Sequence, residues 1–223
     1  MEFKIFYEET DETKNILEKL LGNKFTKEAI LTKKYNREVI LLNIDGEEWV
    51  VKKEICRSFF GLNNKIKMMY NNIKELNSKG FYNTYNVKAI IEKRKSFFKS
   101  EIIYVTDYIK GKIPNTLEEY DEIMELLLKL HQLKHYHGDC KPENFIKTES
   151  GMVMIDSKFR KSYFGHLGVY KDILRLQRFT KEKIDLNKYF KDYKKHIMYY
   201  VAILLIYRRD IFRGNTKFWK EVL

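Results

Sequence analysis

Three oxygen-bearing side chains in the middle of the chain have the types and the spacing that phosphoryl transfer requires. Asn144 follows Asp139 by five positions, and Asp156 comes directly after the apolar run 152–155. In that chemistry one carboxylate orients the attacking hydroxyl and accepts its proton, while an amide oxygen and a second carboxylate hold Mg²⁺ against the nucleotide phosphates. Such hard oxygen ligands suit Mg²⁺. The spacing therefore predicts a site for phosphoryl transfer to a hydroxyl group.

The residues around this set predict how its loop is held. Lys141, two positions after Asp139, is placed to neutralise charge on the transferring phosphoryl group. We expect His137 to hydrogen-bond the backbone near Asp156 and so hold the loop. Asp172 either braces the loop from the next helix or is an ordinary solvated helix charge, and the sequence leaves both interpretations open.

Histidine and cysteine patterns predict little further chemistry. His131 and His135 are four positions apart, as in the H-E-x-x-H zinc motif, but Gln132 stands where the motif has its general base. Zinc is therefore disfavoured. Cys140 has no neighbour that would lower its pKa, so we expect a small filler residue. Cys56 and Cys140 are too few for a disulfide framework, and we expect reduced thiols in a cytosolic protein.

The elements that carry this loop are predicted to be mostly helical. Thr116 and Glu119 form a capping box, and an apolar face from Leu117 to Leu130 predicts a helix that leads into the loop. A short strand precedes Asp156. Two more helices are predicted further along the chain, at 170–179 and 188–212.

The first half of the chain shows strand patterns. Asp45 and Gly46 between apolar runs predict a tight hairpin. The 3.6-residue periodicity of 58–79 predicts a helix. The predicted strands are 3–7, 38–44, 49–52, 85–92 and 101–109. Three or more antiparallel strands with one helix would form a small β-rich lobe.

The loop sequence also resembles a known motif. The segment from His137 to Asn144, HGDCKPEN, resembles the H-R-D-x-x-x-x-N catalytic loop of the protein-kinase-like superfamily, and Gly138 is typical of its small-molecule branch. The chain most resembles the lipopolysaccharide core heptose(II) kinases, which are short bacterial kinases with similar phrases at 108–111 and 155–160. The resemblance follows the order of nearly the whole chain and is specific from Val105 to Arg160.

This resemblance implies a fold and a set of roles. The fold would be α+β and protein-kinase-like, a single domain over 1–223 with a β-rich N-lobe (1–108) and a helical C-lobe (109–223). Asp139 would be the catalytic aspartate, assisted by Lys141. Asn144 and Asp156 would be the Mg²⁺ ligands, with ATP as the phosphoryl donor.

The first half would bind the nucleotide. Lys52 matches the strand lysine of the V-A-I-K motif, which pairs with the α- and β-phosphates, and it is preferred to its rival Lys53. Strand alternation would place Val50 and Lys52 towards the nucleotide, with Trp49 and Val51 in the core. The resemblance further implies that backbone groups of Asp107 and Ile109 meet the adenine at the hinge.

The chain departs from the kinase pattern at several points. It has no G-x-G-x-x-G loop, so another turn covers the phosphates or they bind more weakly. Ser157 and Lys158 replace the Phe-Gly of D-F-G, and Gly138 removes the arginine that reads a phosphorylated activation loop. These departures argue against a regulated protein kinase. A glutamate partner for Lys52 is not evident from a motif, and Glu75 on the 58–79 helix is the candidate.

Charge and hydropathy bear on partners and location. With 43 basic and 31 acidic residues the net charge is +12, which suits a nucleotide, a phosphate-bearing glycan, a membrane surface or nucleic acid. The apolar run 197–207 is shorter than the roughly 20 residues of a membrane span. The start of the chain has no signal-peptide pattern. Five basic residues near the end could contact anionic lipid: Arg208, Arg209, Arg213, Lys217 and Lys220.

The resemblance implies a glycolipid acceptor, a heptose of the lipopolysaccharide inner core, phosphorylated at the cytosolic face of the inner membrane. Nucleic acid is disfavoured as a partner. One alternative is another kinase of this fold, either a protein kinase or an aminoglycoside-type phosphotransferase, and the latter would need an acidic acceptor pocket. The other alternative is a catalytically weak module that binds a nucleotide or nucleic acid. The joint presence of Lys52, Asp139, Asn144 and Asp156 argues against that module.

Overall fold

The structure is a computed structural model that describes residues 3–6, 10–22, 24–57, 64–96, 99–163, 166–180, 184–212 and 214. Side chains are described for these residues except 3–6, 57 and 64–67. The chain divides into two compact units, Met1–Tyr70 with Tyr85–Ile109 and Asn71–Thr84 with Lys110–Leu223. The sequence predicts one boundary after residue 108, whereas the observed chain passes from one unit to the other three times.

The first unit is built on an antiparallel sheet with the strand order β1-β5-β6-β4-β3-β2. Its elements are β1 (Phe3–Phe6), α1 (Asp11–Leu21), β2 (Thr26–Lys34), β3 (Arg37–Ile44), β4 (Glu47–Arg57), α2 (Asn64–Ser78), which continues into the second unit, β5 (Val87–Ser96) and β6 (Lys99–Asp107). The predicted strands are confirmed to within a few residues. Residues 58–63 of the predicted helix, and Tyr7 of the first predicted strand, lie outside the described residues.

Two elements of this unit were not predicted from the sequence. Strand β2 lies at the edge of the sheet and is exposed at most positions, so it lacks the alternation of apolar and polar residues that marks a half-buried strand. Helix α1 begins with a capping box in which Thr13 takes the place of the usual Glu or Gln. Only a narrow face of α1 is buried, at Thr13, Ile16 and Leu17.

Apolar side chains on one face of this sheet form the core of the unit. Trp49 and Val51 of β4 pack there with Ala89, Ile91 and Val105 of the neighbouring strands. Burying a side chain of this size contributes about 1.5–3 kcal/mol. The predicted hairpin is also confirmed: Asp45 and Gly46 have φ angles of 57° and 87°, as a two-residue type I′ turn requires.

The second unit is mostly helical, and two small antiparallel strand pairs frame its central loop. Its remaining elements are α3 (Leu117–Gln132), β7 (His135–Tyr136), β8 (Phe145–Thr148), β9 (Gly151–Met154), β10 (Arg160–Lys161), α4 (Leu167–Phe179) and α5 (Ile197–Ile211). Strand β7 pairs with β10, and β8 pairs with β9. The loop 137–144 therefore starts at one strand pair and ends at the other, while 155–159 connects the same two pairs.

The helix boundaries follow from local residues. Thr116 caps α3 and forms the predicted box with Glu119. The predicted helix 188–212 is wrong in its first turns. Asp192 has a φ of 57°, a left-handed conformation that cannot continue an α-helix, so α5 begins only at Ile197. No helix within the described ranges is long and apolar enough to cross a membrane.

Candidate active site

Helix α4 holds the loop 137–144 through one buried carboxylate. Asp172 is fully buried and accepts the backbone N–H groups of His137 at 2.6 Å and Gly138 at 2.9 Å. His131 Nε2 lies 3.2 Å from the same carboxylate. Burial acts to raise the pKa of Asp172, but these donors outweigh it and leave the pKa below its ordinary value. Of the two interpretations of Asp172, the brace is confirmed.

The same helix also fixes the other side of the Gly138 peptide. Arg175, three residues after Asp172, donates from Nη1 to the Gly138 carbonyl. Gly138 has a φ of 81°, which a residue with a side chain rarely adopts. The loop therefore enters the site in a conformation that depends on this glycine and on two side chains of α4.

His137 hydrogen-bonds the segment after Asp156 through its main-chain carbonyl, and the centre of its ring lies 6.4 Å from that of the Phe159 ring. The His137 carbonyl accepts the N–H of Lys158 at 2.9 Å and the hydroxyl of Ser157 at 3.2 Å. Its Nδ1 instead accepts the N–H of Asp139 at 3.3 Å. Burial lowers the pKa of His137, consistent with a neutral ring that accepts at Nδ1. The predicted hydrogen bonding between His137 and the backbone near Asp156 is therefore confirmed, through the His137 carbonyl.

Asn144 links the loop that carries Asp139 to the segment that carries Asp156. Its side-chain Nδ2 donates to the Asp139 carbonyl at 2.7 Å, and its own carbonyl accepts the N–H of Ile155 at 2.8 Å. Because the amide nitrogen is used on Asp139, Oδ1 is the amide atom suited to a cation. Asp156 follows Ile155 directly, so these two bonds hold the loop 139–144 beside the backbone that leads into Asp156.

The segment that carries Asp156 is held in an uncommon backbone conformation. Asp156 and Phe159 have φ angles of 50° and 39°. A left-handed conformation outside glycine is costly and persists only where surrounding contacts impose it. Here Asn72 of α2 donates to the Phe159 carbonyl at 2.6 Å, and Ser157 and Lys158 bind His137. These contacts hold the backbone of the segment that follows Asp156 in place.

Two lysines accompany the acidic set. Lys141 is partly exposed, with its Nζ 4.0 Å from a Glu143 carboxylate oxygen. Lys158 was not identified as a site residue from the sequence. Partial burial lowers its pKa, while the negative charges of Asp139 and Asp156 act in the opposite direction. Its position two residues after Asp156 was the available signal.

In the first unit, strand alternation places Lys52 as predicted. Trp49 and Val51 lie in the core, and Lys52 projects from the opposite face of β4. The Lys52 side chain is only 7% exposed, and Nζ lies 5.0 Å from the centre of the Tyr104 ring on β6. The rival Lys53 pairs with Ile103 on the face that carries the core.

The predicted hinge residues, Asp107 and Ile109, lie where the chain leaves the first unit for the last time. Asp107 is the last residue of β6. Asp107 accepts Asn86 Nδ2 at 2.7 Å, and its own N–H donates to the Asn86 carbonyl at 3.3 Å. Burial raises the pKa of Asp107 above its ordinary value. Ile109, the last residue of the unit, is half-buried.

The structure gives Glu75 partners other than the predicted Lys52. Its carboxylate binds Lys79 at 2.7 Å and Lys161 at 2.6 Å, both within the second unit. The hydrogen bond from Lys161, followed by that from Lys79, lowers the pKa of Glu75 to about 2. The suggestion came from helical position alone, which does not determine which lysine a carboxylate reaches.

The donor set suits Mg²⁺ better than a transition metal. Within the described ranges there is no group of three or more His, Cys, Asp or Glu side chains suited to a metal ion. Asn144 and Asp156 supply one amide oxygen and one carboxylate, and Mg²⁺ commonly keeps several waters beside so few protein ligands. His131 and His135 bond Asp172 and the Leu133 carbonyl instead.

Comparisons with known proteins add little to this geometry. No protein-family model matches the chain, and no curated protein matches it. Among solved structures it is similar to the crystal structure of the BubR1 kinase domain, with a TM-score of 0.45 and 14% identity. The match covers 60% of this chain and 46% of that one. At this TM-score the likeness does not establish a shared fold, and the chemistry of the site rests on its own residues.

Proposed function

We propose that the protein is an ATP- and Mg²⁺-dependent kinase of protein-kinase-like, two-lobed fold that phosphorylates a hydroxyl group. The observation that carries the proposal is the bond from Asn144 to the Asp139 carbonyl, together with the bond from Ile155 to the Asn144 carbonyl. These bonds hold the loop that carries Asp139 and Asn144 beside the segment that carries Asp156, which supports a common site for the three side chains.

Each side chain of the site has a separate role in phosphoryl transfer. The Asp139 carboxylate orients the acceptor hydroxyl and takes its proton as the phosphorus–oxygen bond forms. Asn144 Oδ1 and the Asp156 carboxylate would hold Mg²⁺, which neutralises phosphate charge when bound. Lys141 offsets negative charge on the transferring group. The neutral, buried ring of His137 positions Asp139 by accepting the backbone N–H of Asp139 at Nδ1.

The first unit supplies the nucleotide contacts of this proposal. Lys52 would pair with the α- and β-phosphates, and the backbone of Asp107 and Ile109 would meet the adenine. The support is the confinement of Lys52 against Tyr104, since a buried ammonium group at a fixed position loses little entropy on binding a phosphate.

The resemblance stated for the sequence suggests the acceptor, a heptose of the lipopolysaccharide inner core. Lys158, whose Cβ lies against Gly138 next to Asp139, favours an anionic acceptor over the cationic drugs of aminoglycoside-type enzymes. Mass spectrometry of core oligosaccharide from cells with and without the gene tests the acceptor. We expect the loss of one phosphate from the core, and an unchanged core would show that the acceptor is something else.

Location at the cytosolic face of the inner membrane is part of the same proposal. Helix α5 exposes a continuous apolar face, on which Ile197 is 73%, Leu204 63% and Phe212 79% exposed. Arg208 lies within this face and is exposed. An apolar face with a basic residue suits the surface of an anionic bilayer. Of the other basic residues predicted to contact lipid, Arg213, Lys217 and Lys220 lie outside the described residues.

Kinase activity itself is tested by incubating the purified chain with γ-labelled ATP, Mg²⁺ and core oligosaccharide. We expect label in the oligosaccharide, and none when Mg²⁺ is removed by a chelator. Transfer that is indifferent to the chelator would contradict the role given to Asn144 and Asp156.

A further inference from the structure

Three cationic side chains lie around Gly138, and a fourth lies on the same helix as one of them. Lys158 Cβ and Arg160 Cδ lie 3.4 and 3.8 Å from the position that a Cβ on Gly138 would occupy. Arg175 donates to the Gly138 carbonyl, and Lys171 lies one turn before it on α4. These four residues, called here the basic cluster, adjoin Asp139, the next residue in the chain.

The basic cluster contains no ion pair among the residues that the structure describes, although the charges of Asp139 and Asp156 act on Lys158 and that of Asp172 acts on Lys171. Its neighbours in sequence do have one: Lys161 binds Glu75, and Arg178 binds Asp210. The nearest buried carboxylate, Asp172, is occupied by backbone N–H groups and by His131. Ion pairs therefore form on both sides of the cluster, at Lys161 and at Arg178.

Holding these cations together is unfavourable without an anion. Like charges four residues apart on a helix, such as Lys171 and Arg175, repel each other. Burial lowers the pKa of Lys171, and the charges of Arg175 and Arg160 lower it further. The buried Nε of Arg175 has no hydrogen-bond partner. An anion with several acceptor oxygens would remove the repulsion and satisfy that donor.

We propose that Lys158, Arg160, Lys171 and Arg175 form a binding site for a phosphate group carried by the acceptor. The ligand class rests on the proposed function, while the cluster itself does not. A phosphate held there would fix the acceptor beside Asp139, so that only a hydroxyl at a set distance from the phosphate reaches the carboxylate. The basic cluster is then a specificity site, and an acceptor without an anionic group is a poor substrate.

The phosphates of the nucleotide are the other source of the same chemistry. The experiment therefore measures binding of inorganic phosphate to the full chain by isothermal titration calorimetry, first alone and then with Mg·ADP saturating. We expect phosphate to bind in both cases. Displacement of phosphate by Mg·ADP would assign the cluster to the nucleotide and overturn the proposal.

Matched variants locate the site. Arg160→Gln and Lys171→Gln each remove one charge without removing the Arg175 bond to Gly138, and each should weaken phosphate binding about tenfold or more. Arg160→Lys keeps the charge and should retain most of the binding. Lys34→Gln, on the exposed edge strand β2, removes the same charge elsewhere and should leave the affinity unchanged. Equal affinities for Arg160→Gln and Lys34→Gln would overturn the proposal, as would wild-type protein that binds no phosphate.

The outcomes separate this inference from the proposed function. Phosphate binding is measured without turnover, so the inference of a phosphate site stands even if no phosphoryl transfer is found. If transfer depends on Asp139 but phosphate does not bind, only the basic cluster has been misinterpreted.

Discussion

The side-chain amide of Asn144 donates to the main-chain carbonyl of Asp139 at 2.7 Å. This bond fixes the rotation of the amide, so that Oδ1 rather than Nδ2 is presented to a cation. It also ties the candidate base to the candidate Mg²⁺ ligand, because movement of one backbone displaces the other side chain.

Replacing Asn144 tests that coupling. Asn144→Ala removes one Mg²⁺ ligand and leaves the Asp139 carbonyl without its donor. We expect the free energy of unfolding to fall by about 1–3 kcal/mol, and the Mg²⁺ concentration needed for half-maximal transfer to rise at least tenfold. Denaturant unfolding and a Mg²⁺ titration of activity measure the two effects. Lower stability with an unchanged Mg²⁺ requirement would limit Asn144 to a structural role.

Asp172 is predicted to contribute more to stability than any exposed carboxylate. Asp172→Ala leaves the N–H groups of His137 and Gly138 buried without an acceptor, and we expect a loss of about 3–5 kcal/mol. Asp121→Ala is the control, because Asp121 is partly exposed and pairs with Lys188 at the surface, a bond worth at most about 1 kcal/mol. Similar losses in the two variants, measured by denaturant unfolding, would show that Asp172 is not the brace.

Two buried histidines predict that the protein loses stability in mild acid. Burial lowers the pKa of His135 and of His137 below the ordinary value of 6.5. Below pH 6.5 the unfolded chain therefore binds protons that the folded chain does not, and the free energy of unfolding falls as the pH falls. His135→Gln should remove about half of the slope between about pH 7 and pH 5, and replacing the exposed His166 should change it little. A slope unchanged by His135→Gln would contradict the assignment.

Membrane contact through α5 is tested by sedimentation with vesicles of phosphatidylcholine and phosphatidylglycerol. Leu204→Ser should weaken binding about tenfold. Arg208→Gln should weaken it about fivefold, and only when the anionic lipid is present. The control is Leu31→Ser, since Leu31 is a similarly exposed leucine on β2. Wild-type protein that stays in the supernatant, or that sediments equally well after Leu204→Ser, would exclude this surface.

Much of the site could be predicted because its parts are close in sequence. The loop from Asp139 to Asn144, the capping box at Thr116 and the hairpin at Asp45 each depend on residues within a few positions of one another, and each appears in the structure. The face of β4 on which Lys52 lies follows from the alternation of side chains along a strand.

What the sequence could not predict depends on pairing between distant residues. Glu75 binds Lys161, which lies far along the chain, and no local pattern indicates that choice. Lys158 and Arg175 contact Gly138 only because the pairing of β7 with β10 and the packing of α4 place them beside it. Strand β2 escaped prediction since its exposed residues carry no periodic signal.

The most direct test of the central claim compares phosphoryl transfer and nucleotide affinity in the wild type and in Asp139→Asn. The amide keeps the size of the side chain but cannot accept the proton of the hydroxyl, so transfer should fall by roughly 10²–10⁴-fold, while Mg·ATP affinity, read by calorimetry, should change less than about threefold. Transfer at the wild-type rate in Asp139→Asn would contradict the account.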